Sequence, residues 1–301
     1  MTELSRYIDP YIDVPAGDIG VGGREIGYLY GQYKRLTKKS DGVLTGKPRL
    51  LGGSDFRTEA TGYGLIYIAN IALAKRGGTL KGARCAVSGS GNVAQYTAKK
   101  LIDFGAKVIS MSDSNGSIIF DNGMTEAEWK VIIDAKQAKR ARLSSLFVSQ
   151  TSGEYVPNHS PWKIRDLKLD YAFPCATQNE INGQAAQRLV QNGAKGVFEG
   201  ANLPTTTDGQ KQFRDSKIIY IPGKAANAGG VATSGFEMAQ NAQRLHWEGA
   251  DIDERLKRTM LSIYNQIDTI TVGGECTLEE GANRVGFLKV AEAMKSLGWV
   301  W

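Results

Sequence analysis

The string Gly89-Ser90-Gly91-Asn92-Val93-Ala94 follows directly on the short apolar run 83–88 and directly precedes a helical stretch over about 92–104. A G-x-G-x-x-A turn between a strand and a helix reverses the chain at Gly89. It brings bare backbone to a pyrophosphate at Gly91 and packs helix on strand at Ala94. The helix N-terminus adds N–H groups and the positive end of its dipole. A tight turn with no ligand is the other reading, and the context weighs against it. Gly105 ends the helix and 107–111 reads as the next strand, so the segment is the βαβ unit of a parallel sheet.

The rest of the chain extends that pattern. Residues 57–76 predict a helix with Leu65, Ile66, Ile68, Ala69, Ala72 and Leu73 on its apolar face, stopped by Gly77-Gly78. An amphipathic helix is expected over 24–36, a long polar one over 126–147, and another over 180–191. Short strands are expected at 171–173, 196–199 and 218–221, each followed by a turn rich in Gly, Asn or Pro. The tail from about Phe236 is helical, with breaks at Gly249, Gly273-Gly274 and near Gly286. The fold class is α/β, a Rossmann-like doubly wound sheet.

Composition narrows the function. Glycine makes up 36 of 301 residues, where about 7% is usual. With only 8 prolines and no G-X-Y period, this excess points to tight turns and close backbone approach to ligands. The net charge of +6 suits an anionic ligand. Three cysteines far apart and two histidines argue against a disulfide framework and against a metal site. The apolar run 65–74 is too short for a membrane span. The opening Met-Thr-Glu-Leu-Ser-Arg lacks the apolar core of a signal peptide, so a cytoplasmic location is expected. Tyr28, Tyr30 and Tyr33 beside Lys34-Arg35 read as helix surface or a subunit contact, not a nucleic-acid site.

Local chemistry leaves the dinucleotide open. Asp113 lies 24 positions after Gly89, where an acidic residue bonds the ribose of NAD. Serines flank it, and Lys136 and Lys139 share a helix face in a basic run with Arg140 and Arg142. Cations converging on a 2′-phosphate would favour NADP. A solvated basic face is the alternative.

Several strings together resemble the hexameric glutamate dehydrogenases of the amino-acid dehydrogenase superfamily. These are 13–22 (Asp-Val-Pro-Ala-Gly-Asp-Ile-Gly-Val-Gly), Gly52-Gly53-Ser54 with 57–64, the phosphate loop, Pro174–Glu180, Glu199-Gly200-Ala201-Asn202, and 222–231 with Ser234. The loop and Ser112-Asp113-Ser114 look like the NADP-linked branch. The resemblance implies reversible oxidative deamination of L-glutamate to 2-oxoglutarate and ammonia with NADP(H), NAD being the alternative. It implies Asp18 as the catalytic carboxylate. Cofactor contacts would come from Arg57, Thr61, Gly89, Ser90, Gly91, Asn92, Val93, Asp113, Ser114, Lys136, Lys139, Ala176, Thr177, Gln178 and Asn202. Asn227, Val231 and Ser234 would touch substrate. No metal and no nucleic acid or membrane partner is implied.

The resemblance also implies an arrangement of parts. Residues 1–56 would be a truncated remnant of a second, substrate-binding domain. Residues 57–235 would form the dinucleotide domain, and 236–301 would pack back toward the substrate domain. A Gly-Gly-x-Lys-Gly-Gly segment, which supplies lysines in the family, is not found. A homo-oligomer is expected once the remaining domain is supplied. A binding module without catalysis and a related leucine or phenylalanine dehydrogenase are the competing readings.

Overall fold

The computed structural model describes residues 1–138, 141–146, 151–164, 166–271 and 276–298. The chain divides into two compact units, Met1–Thr61 with Gly229–Thr259 and Gly62–Ala228 with Met260–Trp301. The helices are α1 (Gly23–Thr37), α2 (Ala60–Lys75), α3 (Asn92–Asp103), α4 (Glu126–Ala138), α5 (Gly183–Gln191), α6 (Thr207–Asp215), α7 (Gly223–Ala226), α8 (Gly229–Gln243), α9 (Gly249–Thr271) and α10 (Leu278–Leu297). The strands are β1 (Arg84–Val87), β2 (Lys107–Asp113), β3 (Gly116–Ile119), β4 (Glu154–Pro157), β5 (Tyr171–Phe173), β6 (Gly196–Phe198) and β7 (Ile219–Ile221).

The second unit is built on one sheet of order β4-β3-β2-β1-β5-β6-β7. Strands β2, β1, β5, β6 and β7 pair in parallel. The chain leaves β1 for β2 on one side and later returns to β5 on the other. The crevice of a doubly wound sheet therefore opens at the C-terminal ends of β1 and β5. These strands are short and buried on both faces, through Cys85, Ala86, Val87, Ala172, Phe173, Val197 and Phe198. The β1–β2 register slips between Cys85 and Ala86. There Ser110 Oγ accepts from Val87 N and donates to Val87 O, completing the ladder. Helix α2 buries Leu65, Ile66, Ile68, Ala69, Ala72 and Leu73 as expected, and buries Tyr67 as well. A Cβ at Gly62 would stand 2.5 Å from Thr97 N, so a bare residue is what lets α2 lie against α3.

The first unit has its own core of Ile8, Ile26, Tyr30, Tyr33, Val43 and Leu44. Three of these stand on α1 at helical spacing, which realises the amphipathic stretch read over 24–36. Glu25 accepts from Gly22 N at 2.9 Å and so helps start that helix.

Two expectations change. Strands β3 and β4 were not foreseen. They pair antiparallel at the sheet edge, with Ser114-Asn115 as the two-residue loop between β2 and β3. The helix expected over 126–147 stops at Ala138, and Leu143–Leu146 form a 3-10 turn. Leu143 is fully buried and its N–H donates to Asp113 Oδ2 at 2.8 Å, which draws this segment back to the end of β2. The two compact units divide the chain at 61/62, 228/229 and 259/260. The last of these falls inside α9, a continuous helix that the breaks read in the sequence did not divide. No helix among the described residues is long and apolar enough to cross a membrane.

Candidate functional site

In the second unit, the phosphate loop lies between the C-terminal end of β1 and the N-terminus of α3. Gly89 has φ +86°, and a Cβ there would meet Cys175 O at 2.9 Å. Both facts require glycine. Gly89 is also stitched to β2: its N–H donates to Ser112 Oγ at 2.8 Å and its O accepts from Ser112 N at 3.1 Å. Ser90 is buried, and its carbonyl accepts from Gln95 Nε2. A Cβ at Gly91 would meet nothing within 4 Å, so open space faces the loop there. Asn92 and Val93 begin α3, whose N-cap is Gly91, a residue with no side chain to cap it. A helix start behind a bare, open glycine fits a pyrophosphate.

The turns after β5, β6 and β7 close around this loop. Ala176, Thr177 and Gln178 form an exposed turn after β5. Gly200 N and Ala201 N both donate to Pro174 O at 2.9 Å, tying the β5 and β6 turns together. Two glutamates bind the rest. Glu180 accepts from Ser88 Oγ at 3.0 Å, Ala176 N at 3.1 Å and Trp162 Nε1 at 2.6 Å. Glu199, fully buried, accepts from Tyr220 OH at 2.7 Å and Gly223 N at 2.8 Å. Burial pushes both carboxyls above the usual carboxylate range, against the pull of those donors. Cys175 is buried too, and burial pushes its thiol up. Beside it, Asn227 Nδ2 donates to Asn202 Oδ1 at 2.7 Å, joining a residue expected on substrate to one expected on cofactor.

At the end of β2, Asp113 spends both oxygens on the backbone, accepting from Asn115 N at 2.9 Å and Leu143 N at 2.8 Å. Ser114 Oγ accepts from Arg142 Nη1 at 2.6 Å, so a guanidinium stands beside the expected 2′-phosphate serine. Lys136 is partly buried on α4. Lys139 lies outside the described residues.

In the first unit, Ser234 on α8 is the point of convergence. Its Oγ accepts from Arg57 Nε at 2.9 Å and from Thr45 Oγ1 at 3.2 Å. Arg57 has no carboxylate in ion-pair range among the described residues, and burial lowers its pKa. One turn along α8, Glu237 is fully buried against Lys47 Nζ at 2.8 Å, and its other oxygen accepts from Gly46 N at 2.9 Å. Lys47 also donates to Leu44 O. The segment 44–47 is thereby fixed along α8, which holds Thr45 at Ser234. A Cβ at Gly230 would overlap Thr61 Oγ1, so the start of α8 and the start of α2 meet closely. Asp18 stands in an exposed turn closed by Val21 N to Asp18 O at 2.8 Å. Val231 is 73% exposed.

The sequence pointed to Arg57 and Ser234 but not to their pairing. It missed Thr45, the Lys47–Glu237 pair and the two carboxylates beneath the turns. Polar residues buried by tertiary packing leave no local signal. Arg142 stood in the basic run that was read, and only the recoil of 143–146 toward β2 singles it out.

A family model described as Glutamate/Leucine/Phenylalanine/Valine dehydrogenase matches residues 52–298, and one described as its dimerisation domain matches residues 1–35. An NADP-specific glutamate dehydrogenase of Chlorella sorokiniana is 48% identical over 300 residues, covering 100% of this chain and 57% of the relative. The NADP-specific glutamate dehydrogenase of Escherichia coli is 46% identical over 299 residues, covering 99% of this chain and 66% of the relative. The crystal structure of a Plasmodium falciparum glutamate dehydrogenase matches with a TM-score of 0.94 at 45% identity, over 99% of this chain and 64% of that one. The chain thus spans about three fifths to two thirds of the length of these relatives.

Proposed function

Because the chain belongs to the glutamate/leucine/phenylalanine/valine dehydrogenase family, we propose that it serves the reversible oxidative deamination of L-glutamate to 2-oxoglutarate and ammonia with NADP(H). The observation that carries the choice of glutamate is the convergence of Arg57 and Thr45 on Ser234 Oγ. Two donors fill that oxygen's acceptor positions, so its own hydrogen is left to donate outward. Arg57 keeps its terminal nitrogens for an anion. A side-chain carboxylate satisfies both groups; an apolar side chain would leave them desolvated and unpaired. On this reading Arg57 acts on substrate, not on the cofactor as first expected.

The bound cofactor supplies one thing, acceptance or return of a hydride at the substrate's α-carbon. The chain does the rest. The first turn of α3 and Gly91 hold the pyrophosphate. Ser114, Arg142 and Lys136 face the 2′-phosphate, which favours NADP over NAD. Asn227 and Asn202 orient the amino-acid head and ribose. Asp18, exposed and ionisable, takes up and returns protons as ammonia leaves or adds. The dimerisation-domain match and the exposed Tyr7, Tyr11, Ile12 and Tyr28 support a homo-oligomer.

The test compares NADP⁺ reduction by this chain with glutamate, leucine, phenylalanine and valine. Turnover with glutamate alone, abolished in Asp18→Asn, is expected; turnover with leucine or phenylalanine overturns the substrate assignment. Cofactor binding without turnover is the second reading. One observation favours it: Lys47, the one fully buried cation among the described residues, is consumed by Glu237 and cannot serve a substrate carboxylate.

A further inference from the structure

We propose that Glu180 is a positioning residue for the cofactor site, holding the phosphate loop and the β5 turn in one arrangement through Ser88. The inference rests on the reading of the second unit as an NADP(H) site, and concerns a residue that makes no contact with the reaction.

Three chain segments end on this carboxylate. Ser88, the last residue before Gly89, donates its hydroxyl to Oε1. Ala176, in the turn expected to line the cofactor, donates its N–H to the same oxygen. Trp162, itself buried in the 3-10 turn Pro161–Lys163, donates its indole N–H to Oε2. Ser88 Oγ in turn accepts from Cys175 N at 3.0 Å. The chain of bonds therefore runs from the β5 turn to Ser88 to Glu180 and back to the β5 turn. A closed ring of this kind fixes two loops against each other with no covalent link between them.

The donors are all neutral. No described lysine or arginine pairs with Glu180, although His159, Lys163 and Arg188 line the same surface cavity of about 310 Å³ as this residue. Holding a carboxylate beside a phosphate loop without a cation is costly, and burial raises its pKa accordingly. A residue retained only for packing would be cheaper as a neutral amide or an apolar group. What the carboxylate provides is an acceptor for several converging donors, which no neutral side chain of that length supplies.

The experiment measures NADPH affinity by calorimetry and backbone amide hydrogen exchange in the wild type, Glu180→Gln, Glu180→Ala, Ser88→Ala and the Ser88→Ala/Glu180→Ala double variant. Glu180→Ala is expected to bind NADPH about tenfold more weakly, because the buried Ser88 hydroxyl and Trp162 indole N–H and the Ala176 N–H lose their common acceptor. Exchange should rise at Ala176 and across 88–91 while β6 and β7 keep their protection. Glu180→Gln should recover only part of the affinity, since its carbonyl oxygen still accepts from Ser88 and Ala176 while its amide N–H faces the Trp162 N–H. The double variant should bind no worse than Glu180→Ala, because both changes cut one linkage. Wild-type affinity and unchanged exchange in Glu180→Ala overturn the proposal, as does full additivity in the double variant. If the wild type itself binds no NADPH, the cofactor reading fails; the exchange comparison at Ala176 and 88–91 then decides the role of Glu180 by itself.

Discussion

The two units fix their loops with buried carboxylates in opposite ways. In the first, Glu237 is neutralised by Lys47, and together they lock the segment 44–47 along α8. In the second, Glu180 and Glu199 are held, among the described residues, by hydroxyl, indole and backbone N–H donors. The difference follows from what each surface faces. An ion pair is self-contained and offers nothing to a ligand, which suits a clamp behind Ser234. Dipole-held carboxylates fix the turns, and among the described residues Arg142 beside Ser114 has no carboxylate in ion-pair range, which suits a surface that takes phosphates.

The largest test of this contrast is removal of one half of the pair. Lys47→Met strands Glu237 in a dry site and should cost about 3–5 kcal/mol in urea unfolding. Adding Glu237→Leu should return most of that loss, since a buried pair replaced as a whole by apolar groups is often close to neutral. A neutral Lys47→Met would dissolve the contrast.

Two glycines sharpen it next. A Cβ at Gly53 would overlap the carbonyl of Lys47, so Gly53→Ala should destabilise by about 1–3 kcal/mol. A Cβ at Gly91 meets open space. Gly91→Ala should leave stability within about 0.5 kcal/mol yet weaken NADPH binding, read by thermal unfolding and calorimetry together. Equal effects of the two substitutions on stability would contradict the assignment of Gly91 to a ligand.

Arg142→Ala tests the cation at Ser114. It should cost NADPH about tenfold in affinity and leave NADH nearly unchanged. The smallest effect is a slope with pH. Folded Glu180 and Glu199 hold their protons to higher pH than the unfolded chain does. The folded state thus binds more protons in that interval, and stability falls as pH rises from the usual carboxylate range through the raised folded values. Glu199→Gln should flatten that decline in unfolding free energies measured across this interval. A steeper decline in the variant would reverse the sign assigned here.

Much of this was legible in the sequence where local rules carry the information. The strand–glycine–helix order of 83–104 gave β1, the loop and α3, because each part is specified by neighbours within a few positions. The edge strands β3 and β4 were missed although Asn115-Gly116 marks a hairpin turn; the run after it, Ser117-Ile118-Ile119-Phe120, is too short to show alternation. The helix over 126–147 was overextended because its polarity continues past Ala138, and the bond from Leu143 N to Asp113, which draws 143–146 back to β2, is a tertiary contact that no local pattern shows. The site residues were found as motifs, not as partners. That Arg57 turns to Ser234, and that Glu180 receives Ser88, depends on contacts across 177 and 92 positions, which no local pattern encodes.

The central claim is that the second unit of this chain holds NADP(H) at the loop of β1 and α3. Calorimetric titration of the purified chain with NADPH and with NADH tests it most directly. One saturable NADPH site per chain is expected, with NADH bound more weakly. An absence of saturable NADPH binding, or equal affinity for the two, would contradict it.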